Sequence, residues 1–384
     1  MVRTIDECFF QIQNGANIKQ GDVAGGFPIT RIETTANDKF NRDRMGYAGI
    51  TDISKYEAYV LEDGDLLMSH INSVQYLGRT VLYVKQPDET IIHGMNLLRL
   101  KAKRDIINPA YARYCFYGHP FRSQISNITK KSVNQASFAV KDLKQIKIDI
   151  PSVPEQKEVV EVLDKIQQLI GLRTDELLKL DNLIKARFVE QFMGKNYPLI
   201  PLEDLSLGKG EYGAQSASVE YDPNRPRYVR ITDINDDGTL NDDVVSSANI
   251  DDDEQFKLSY GDFMFARMGA TVGKTYAYRN GNQIFAGYLI RYKLNLAKII
   301  PEYLYAYTKL EEYKNWVLLN QSGAAQPGIN AKKYGSLRIP VATLEEQKNF
   351  ADFIKQTDEL KVTVEKALNE AQILFDSLMQ KYFG

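Results

Sequence analysis

Apolar residues recur in steps of three and four between Pro154 and Met193: Val159, Leu163, Ile166, Ile170, Leu177, Leu180 and Ile184. That spacing places them on one face of an amphipathic helix with a coiled-coil-like seam. Arg173 interrupts the stripe and Gly171 lies beside it, so a weak point is expected in mid-helix. One helix with a single apolar stripe does not stay alone in water. A partner stripe occurs near the end of the sequence, where Phe350, Ile354, Val364, Leu368, Ala371, Phe375 and Leu378 share one face. The two predicted helices cover 155–192 and 345–382.

Both helices open on the same tripeptide, Glu155-Gln156-Lys157 and Glu346-Gln347-Lys348, about half the chain apart. A duplicated protein explains this better than a core hairpin does. The repetition extends outward. Tyr47-Ala-Gly-Ile-Thr-Asp-Ile53 matches Tyr228-Val-Arg-Ile-Thr-Asp-Ile234. Gly64-Asp65 and Gly261-Asp262 are turns that feed apolar strands. Polar loops follow at His70 to Arg79 and at Arg267 to Lys274, then further short strands. Pro109 and Pro301 each open a helix. A last short strand, IKIDIP or SLRIP, leads into each long helix. The fold class is therefore α+β, with two similar mixed α/β units alternating with two long helices. The predicted divisions are 1–151, 152–195, 196–340 and 341–384. The Asp-rich run from Asp236 to Glu254 is the largest difference between the copies and reads as a solvated hairpin.

A length of 384 residues suits two or three domains. At 43% hydrophobic and 26% charged, the composition is that of a soluble globular protein, with no membrane span and no signal-peptide form. Two cysteines argue for a reducing cytoplasm and against a disulfide framework. The three histidines lack metal-ligand spacing. A net charge of −2 counts against a free-standing nucleic-acid binder, yet leaves room for local basic loops. The 23 tyrosines fit either interfaces or aromatic cores.

Three catalytic-looking matches fail on context. Gly208-Lys-Gly210-Glu-Tyr-Gly213 fits a dinucleotide fingerprint, but Pro223 and Pro226 follow where a helix is needed. Asp233-Ile-Asn-Asp-Asp-Gly238 resembles half a calcium loop, but its twelfth position is Val244; an Asp-Gly hairpin turn explains it better. Asn108-Pro109-Ala110-Tyr111 is close to a methyltransferase clamp, but the second copy lacks the Asn, and a helix N-terminus is the better account. No set of nucleophile, base and orienting group stands out. The loops carry more. Arg and Lys can meet guanine edges or phosphates, and Asn and Gln adenine edges. The DNA-contact candidates in the first copy are Arg42, Arg44, His70, Asn72, Arg79, Lys130, Lys131, Asn134 and Gln135. In the second copy they are Arg225, Arg227, Arg230, Arg267, Thr271, Lys274, Gln326, Asn330, Lys332 and Lys333.

Taken together, the helix openings, the central ending Leu183-Ile-Lys-Ala-Arg-Phe-Val-Glu-Gln-Phe192, and the start Gly208-Lys-Gly-Glu-Tyr-Gly-Ala-Gln215 resemble the specificity subunits of type I restriction–modification systems. The likeness runs over essentially the whole chain. The first copy departs from it, having Gly21-Asp-Val-Ala-Gly-Gly26 in place of the glycine-rich start. The resemblance implies two target recognition domains, at 1–151 and 196–340, each reading half of a bipartite site in double-stranded DNA. It implies that the long helices pair antiparallel as a coiled-coil spacer and dock two modification subunits, with restriction–translocase subunits joining them. S-adenosylmethionine and ATP would then belong to those partners, with no cofactor or metal in this non-catalytic chain. Two other classes remain open from the residues alone: a coiled-coil scaffold for protein partners, and a DNA methyltransferase in its own right.

Overall fold

The structure is a computed structural model that describes residues 1–21, 25–133, 135–251, 253–323 and 327–384. The chain divides into two compact units. The first comprises Met1–Leu172 and Ala367–Gly384, the second Arg173–Lys366.

Each unit is built on a four-stranded antiparallel sheet. In the first unit the strands are β1 (Phe9–Asn14), β2 (Leu66–Ser69), β3 (Thr80–Leu82) and β4 (Leu97–Ala102), in the order β1-β4-β2-β3. In the second they are β5 (Glu211–Tyr212), β6 (Asp262–Ala266), β7 (Thr275–Ala277) and β8 (Leu289–Lys293), in the order β5-β8-β6-β7. The two orders are the same, so the duplication read from the sequence is a duplication of topology.

The central strands read as apolar runs because both their faces are covered. Phe263 and Phe265 enter one core, while Met264 and Ala266 enter another on the opposite face. Leu66 and Met68 are likewise separated from Leu67. Opposite the middle of each strand sits a buried arginine, Arg99 across from Leu67 and Arg291 across from Met264. Arg99 donates to the carbonyls of Ala58 (2.6 Å) and Val60 (2.8 Å) and lies 3.8 Å from Asp65. Arg291 donates to those of Gln255 (3.0 Å) and Lys257 (2.8 Å) and lies 3.6 Å from Asp262. A guanidinium fork is suited to this work, since it holds two carbonyls and a carboxylate at once.

The first long helix is Val153–Phe192 and the second Leu344–Phe383. Their first turns are closed alike. Glu155 accepts from the N–H and hydroxyl of Ser152, and Glu346 from those of Thr343. This is the carboxylate half of a capping box. The first helix continues unbroken through Gly171, so the expected weak point does not interrupt it; the division between the units nonetheless falls at Leu172. Within the second unit the two helical segments run antiparallel. Phe188 packs on Phe350, and one turn-pair further along Asp181 meets Lys361 at 2.6 Å. Within the first unit Val159, Val160 and Leu163 share a core with Phe375, Leu378 and Phe383.

Two expected elements differ. Residues 47–53 form no strand and make only isolated bridges, whereas Arg227–Val229 is a strand paired with Gln283–Phe285. The Asp-rich run is not one solvated hairpin. It turns back at Ile234–Leu240, then sends Ser246–Ala248 into the interior, paired with Ser218–Glu220. Small side chains allow that burial where the intervening aspartates stay outside. No helix among the described residues is long and apolar enough to cross a membrane.

Candidate nucleic-acid interface

In the second unit Arg267 leaves the end of β6 and its backbone is held on both sides. Its N–H donates to Tyr288 O (3.0 Å) and its carbonyl accepts from Ile329 N–H (2.9 Å). The side-chain Nε donates to Gly287 O at 3.0 Å. The guanidinium lies 5.0 Å from the Tyr212 ring centre and 5.6 Å from that of Tyr288. Both tyrosines are exposed, at 43% and 55%. No carboxylate among the described residues pairs with Arg267. The Tyr212 hydroxyl accepts from Ala331 N–H (3.2 Å) and so ties this corner to the short helix Ala331–Gly335. Asn330 caps that helix through Lys333 N–H, leaving Lys332 and Lys333 exposed. Gly328 bridges both Met268 and Ser322. The fold thus brings together Arg267, Asn330, Lys332 and Lys333 from two separate predicted loops.

Two glycines of the Gly208–Gly213 run, Gly210 and Gly213, serve this corner by permitting close packing. A Cβ on Gly210 would lie 2.7 Å from the Tyr292 ring, and one on Gly213 would lie 2.4 Å from the carbonyls of Phe285 and Ala286. β5 lies inside the run, and the next element is the strand Ser218–Glu220 where a dinucleotide site needs a helix.

Sheet register assigns the same corner in the first unit to Asn14, His70 and Asn96, matching Tyr212, Arg267 and Tyr288. Asn14 and Asn96 are exposed. His70 is turned inward, 5% exposed, with its ring against Phe138. Burial lowers its pKa to about 4, so it is neutral at pH 7. Buried in this way, its ring edge is not presented at the surface as the sequence expectation required.

The other predicted residues fall into four groups. Arg42, Arg79, Arg227, Arg230 and Lys274 are committed to carboxylates of their own unit. Arg42 grips Glu89 at 2.9 and 2.7 Å, and Arg79 meets Asp38 at 2.8 Å. Arg227 meets Asp242 at 2.5 Å, Arg230 meets Asp233 at 2.8 Å, and Lys274 meets Asp236 at 2.7 Å. Arg42 holds the Glu89 carboxyl at about 2, well below the usual range. Asn72 and Thr271 are spent locally, on Ser69 and on Met268 O. Arg44, Lys130, Lys131, Gln135 and Arg225 are exposed, Arg225 with a loose 3.9 Å approach to Asp222. Asn134 and Gln326 lie outside the described residues. Sequence reasoning missed Tyr212, Tyr288 and Lys141. The exposed Lys141 stands on Val140–Lys144, the counterpart of Ala331–Gly335. Alignment of the strand before each long helix would have found it. Among the described residues no cluster of three or more His, Cys, Asp or Glu side chains is placed to hold a metal.

Two units with the same buried frame and unlike corners define a duplicated protein whose copies differ where the frame meets the surface. The family model for the type I restriction modification DNA specificity domain matches residues 1–182 and 203–372, and the chain belongs to that family. Its role is DNA recognition. It is similar to the putative type I restriction enzyme MjaX specificity subunit of Methanocaldococcus jannaschii, with 28% identity over 94% of this chain and 87% of the relative. The type I restriction enzyme EcoKI specificity subunit of Escherichia coli is 24% identical over 53% of this chain and 45% of its own length. The crystal structure of a type I restriction–modification S subunit from M. genitalium shares the fold, with a TM-score of 0.59 at 14% identity over 100% of this chain and 96% of that one.

Proposed function

We propose that this chain is the non-catalytic reader of a type I restriction–modification complex and that its two units, with recognition domains at 1–151 and 196–340, each read one half of a bipartite DNA target. The observation that carries this reading is the repeated frame with unlike corners: exposed Asn14 and Asn96 beside a buried His70 in one unit, Tyr212, Arg267 and Tyr288 in the other. Equal frames position the readers alike, and unlike corners select unlike bases. Arg44, Lys130, Lys131, Lys332 and Lys333 serve as phosphate contacts, because they are exposed and have no ion pair among the described residues. The long helices set the spacing of the half-sites and dock two modification subunits, which restriction–translocase subunits join. S-adenosylmethionine and ATP bind to those partners. Much of the phosphate attraction then comes from the partners as well, which accommodates a net charge of −2.

Motif-resolved methylation sequencing of DNA from cells expressing the chain with its modification subunits tests this. A bipartite motif is expected, and exchanging residues 196–340 for those of a relative is expected to change one half only. Loss of both halves together would refute independent reading. Stoichiometric binding of labelled S-adenosylmethionine to the isolated chain would refute the non-catalytic assignment.

A further inference from the structure

We infer that Arg267 reads a guanine in the half-site of the second unit and that Tyr212 and Tyr288 are its positioning residues. This rests on the DNA-recognition reading above and deepens it. The argument begins with donor accounting. Arginine has five N–H donors in a planar fork. At Arg267 the Nε donor is committed to Gly287 O, and neither terminal nitrogen has a protein partner among the described residues. The terminal pair is the part that matches the O6 and N7 acceptors of guanine in the major groove.

The fork is also held still. Its backbone is fixed by Tyr288 O and Ile329 N–H, and two tyrosine rings flank the guanidinium at 5.0 and 5.6 Å. An arginine bound on its inner edge and flanked by rings loses little further freedom on meeting a base. The Tyr212 ring is itself anchored through its hydroxyl to Ala331 N–H. Arg42 and Arg79 also stand over rings, 5.2 Å from that of Phe40 and 4.7 Å from that of Tyr76, so what sets Arg267 apart from the candidate arginines in contact with carboxylates is that no carboxylate among the described residues pairs with it. Arg42, Arg79, Arg227 and Arg230 would have to leave Glu89, Asp38, Asp242 or Asp233 to bind DNA. In the first unit the same corner holds Asn14, His70 and Asn96, so a guanine requirement there is not transferred by the frame.

The test uses the full chain assembled with its modification subunits. Methylation sequencing of a randomised plasmid library gives the motif, and competition with duplexes carrying single base changes at fixed salt gives selectivity. Arg267→Gln is expected to make one guanine position of a single half-site degenerate and to weaken the cognate duplex roughly ten- to hundredfold. The other half-site is expected to be unchanged. Arg267→Lys keeps the charge and the aliphatic stem and is expected to assemble normally, yet to lose the same selectivity, because a point charge is no fork. Tyr288→Ala is expected to relax that position and Tyr288→Phe to retain it, which separates ring support from a general structural loss.

A wild-type half-site without guanine on either strand, full selectivity in Arg267→Lys, or equal weakening of all duplexes by Arg267→Gln would each overturn the inference. If those results come with an intact bipartite motif, the recognition reading itself stands. A wild-type complex that yields no motif sinks both.

Discussion

Gln156 and Gln347 make the same three hydrogen bonds in the two units. Gln156 accepts from Asn108 N–H at 2.8 Å and donates to Ile106 O (3.0 Å) and Pro151 O (2.9 Å). Gln347 accepts from Ile300 N–H at 3.0 Å and donates to Lys298 O (3.0 Å) and Ala342 O (2.9 Å). Both side chains are fully buried. Each pins the first turn of a long helix to the start of the proline-led helix, Pro109–Tyr117 or Pro301–Tyr307.

Replacing this amide with an apolar group of similar size strands one N–H and two carbonyls. Gln347→Leu is expected to cost about 1–3 kcal/mol. The single tryptophan, Trp316, lies in the second unit against Tyr313 and Tyr334, so its fluorescence reports on that unit. The urea midpoint seen by Trp316 should fall in Gln347→Leu, and an unshifted midpoint would deny the anchor its role.

The buried Arg291 gives a second test. Arg291→Met takes the nearest cation from the buried Asp262, removes the nearest partner of Glu211 and strands the carbonyls of Gln255 and Lys257, for an expected loss of about 3–5 kcal/mol. By contrast Arg225→Ala, which removes an exposed 3.9 Å contact, should change stability by less than about 1 kcal/mol. Comparable effects in the two variants would argue against a frame centred on Arg291.

All three histidines belong to the first unit, and two are buried. Burial lowers His70 to about 4 and His93 to about 3 from the ordinary 6.5. His93 donates through Nε2 to Leu97 O, a bond made by the neutral ring. The folded values lie below the unfolded one, so the unfolded chain takes up protons first. Stability is therefore full above pH 6.5 and declines as pH falls from 6.5 toward the folded values. The loss by pH 4 is on the order of 2–3 kcal/mol per histidine. Hydrogen exchange across pH 7 to 4 should show the first unit opening from this cause and should show less of it in His70→Gln. Equal acid sensitivity of that variant would remove the assignment.

The exposed Lys332 and Lys333 are expected to act on phosphate. The double change to alanine should weaken every duplex alike and lower the slope of log affinity against log salt by about two, leaving base preference intact. A changed motif would move them from positioning to reading.

The repeat and the long helices were legible because period and spacing survive in the residues: the Glu-Gln-Lys openings and the Gly-Asp turns fall at matching places. The buried arginines were not. Arg99 and Arg291 each stand in an apolar strand run, and their partners are carbonyls some forty residues away, which no spacing rule marks. The candidate site was legible in part. Arg267 stands out by position, but its availability does not. Arg227 and Arg230 look the same in the sequence and are tied to Asp242 and Asp233 only once Arg227–Val229 and the Ile234–Leu240 turn are formed.

The first unit takes Phe375, Leu378 and Phe383 into its core, while the second is complete within Arg173–Lys366. Order of synthesis and order of completion are therefore reversed. The unit whose strands leave the ribosome first waits, with Val159 and Leu163 uncovered, until the last turns of the second long helix have been made. The later unit can close before it. A released chain ending at Lys366 would carry a complete second unit and an open first one, so a quality-control protease acting on exposed apolar surface would see the N-terminal half as the unfinished part.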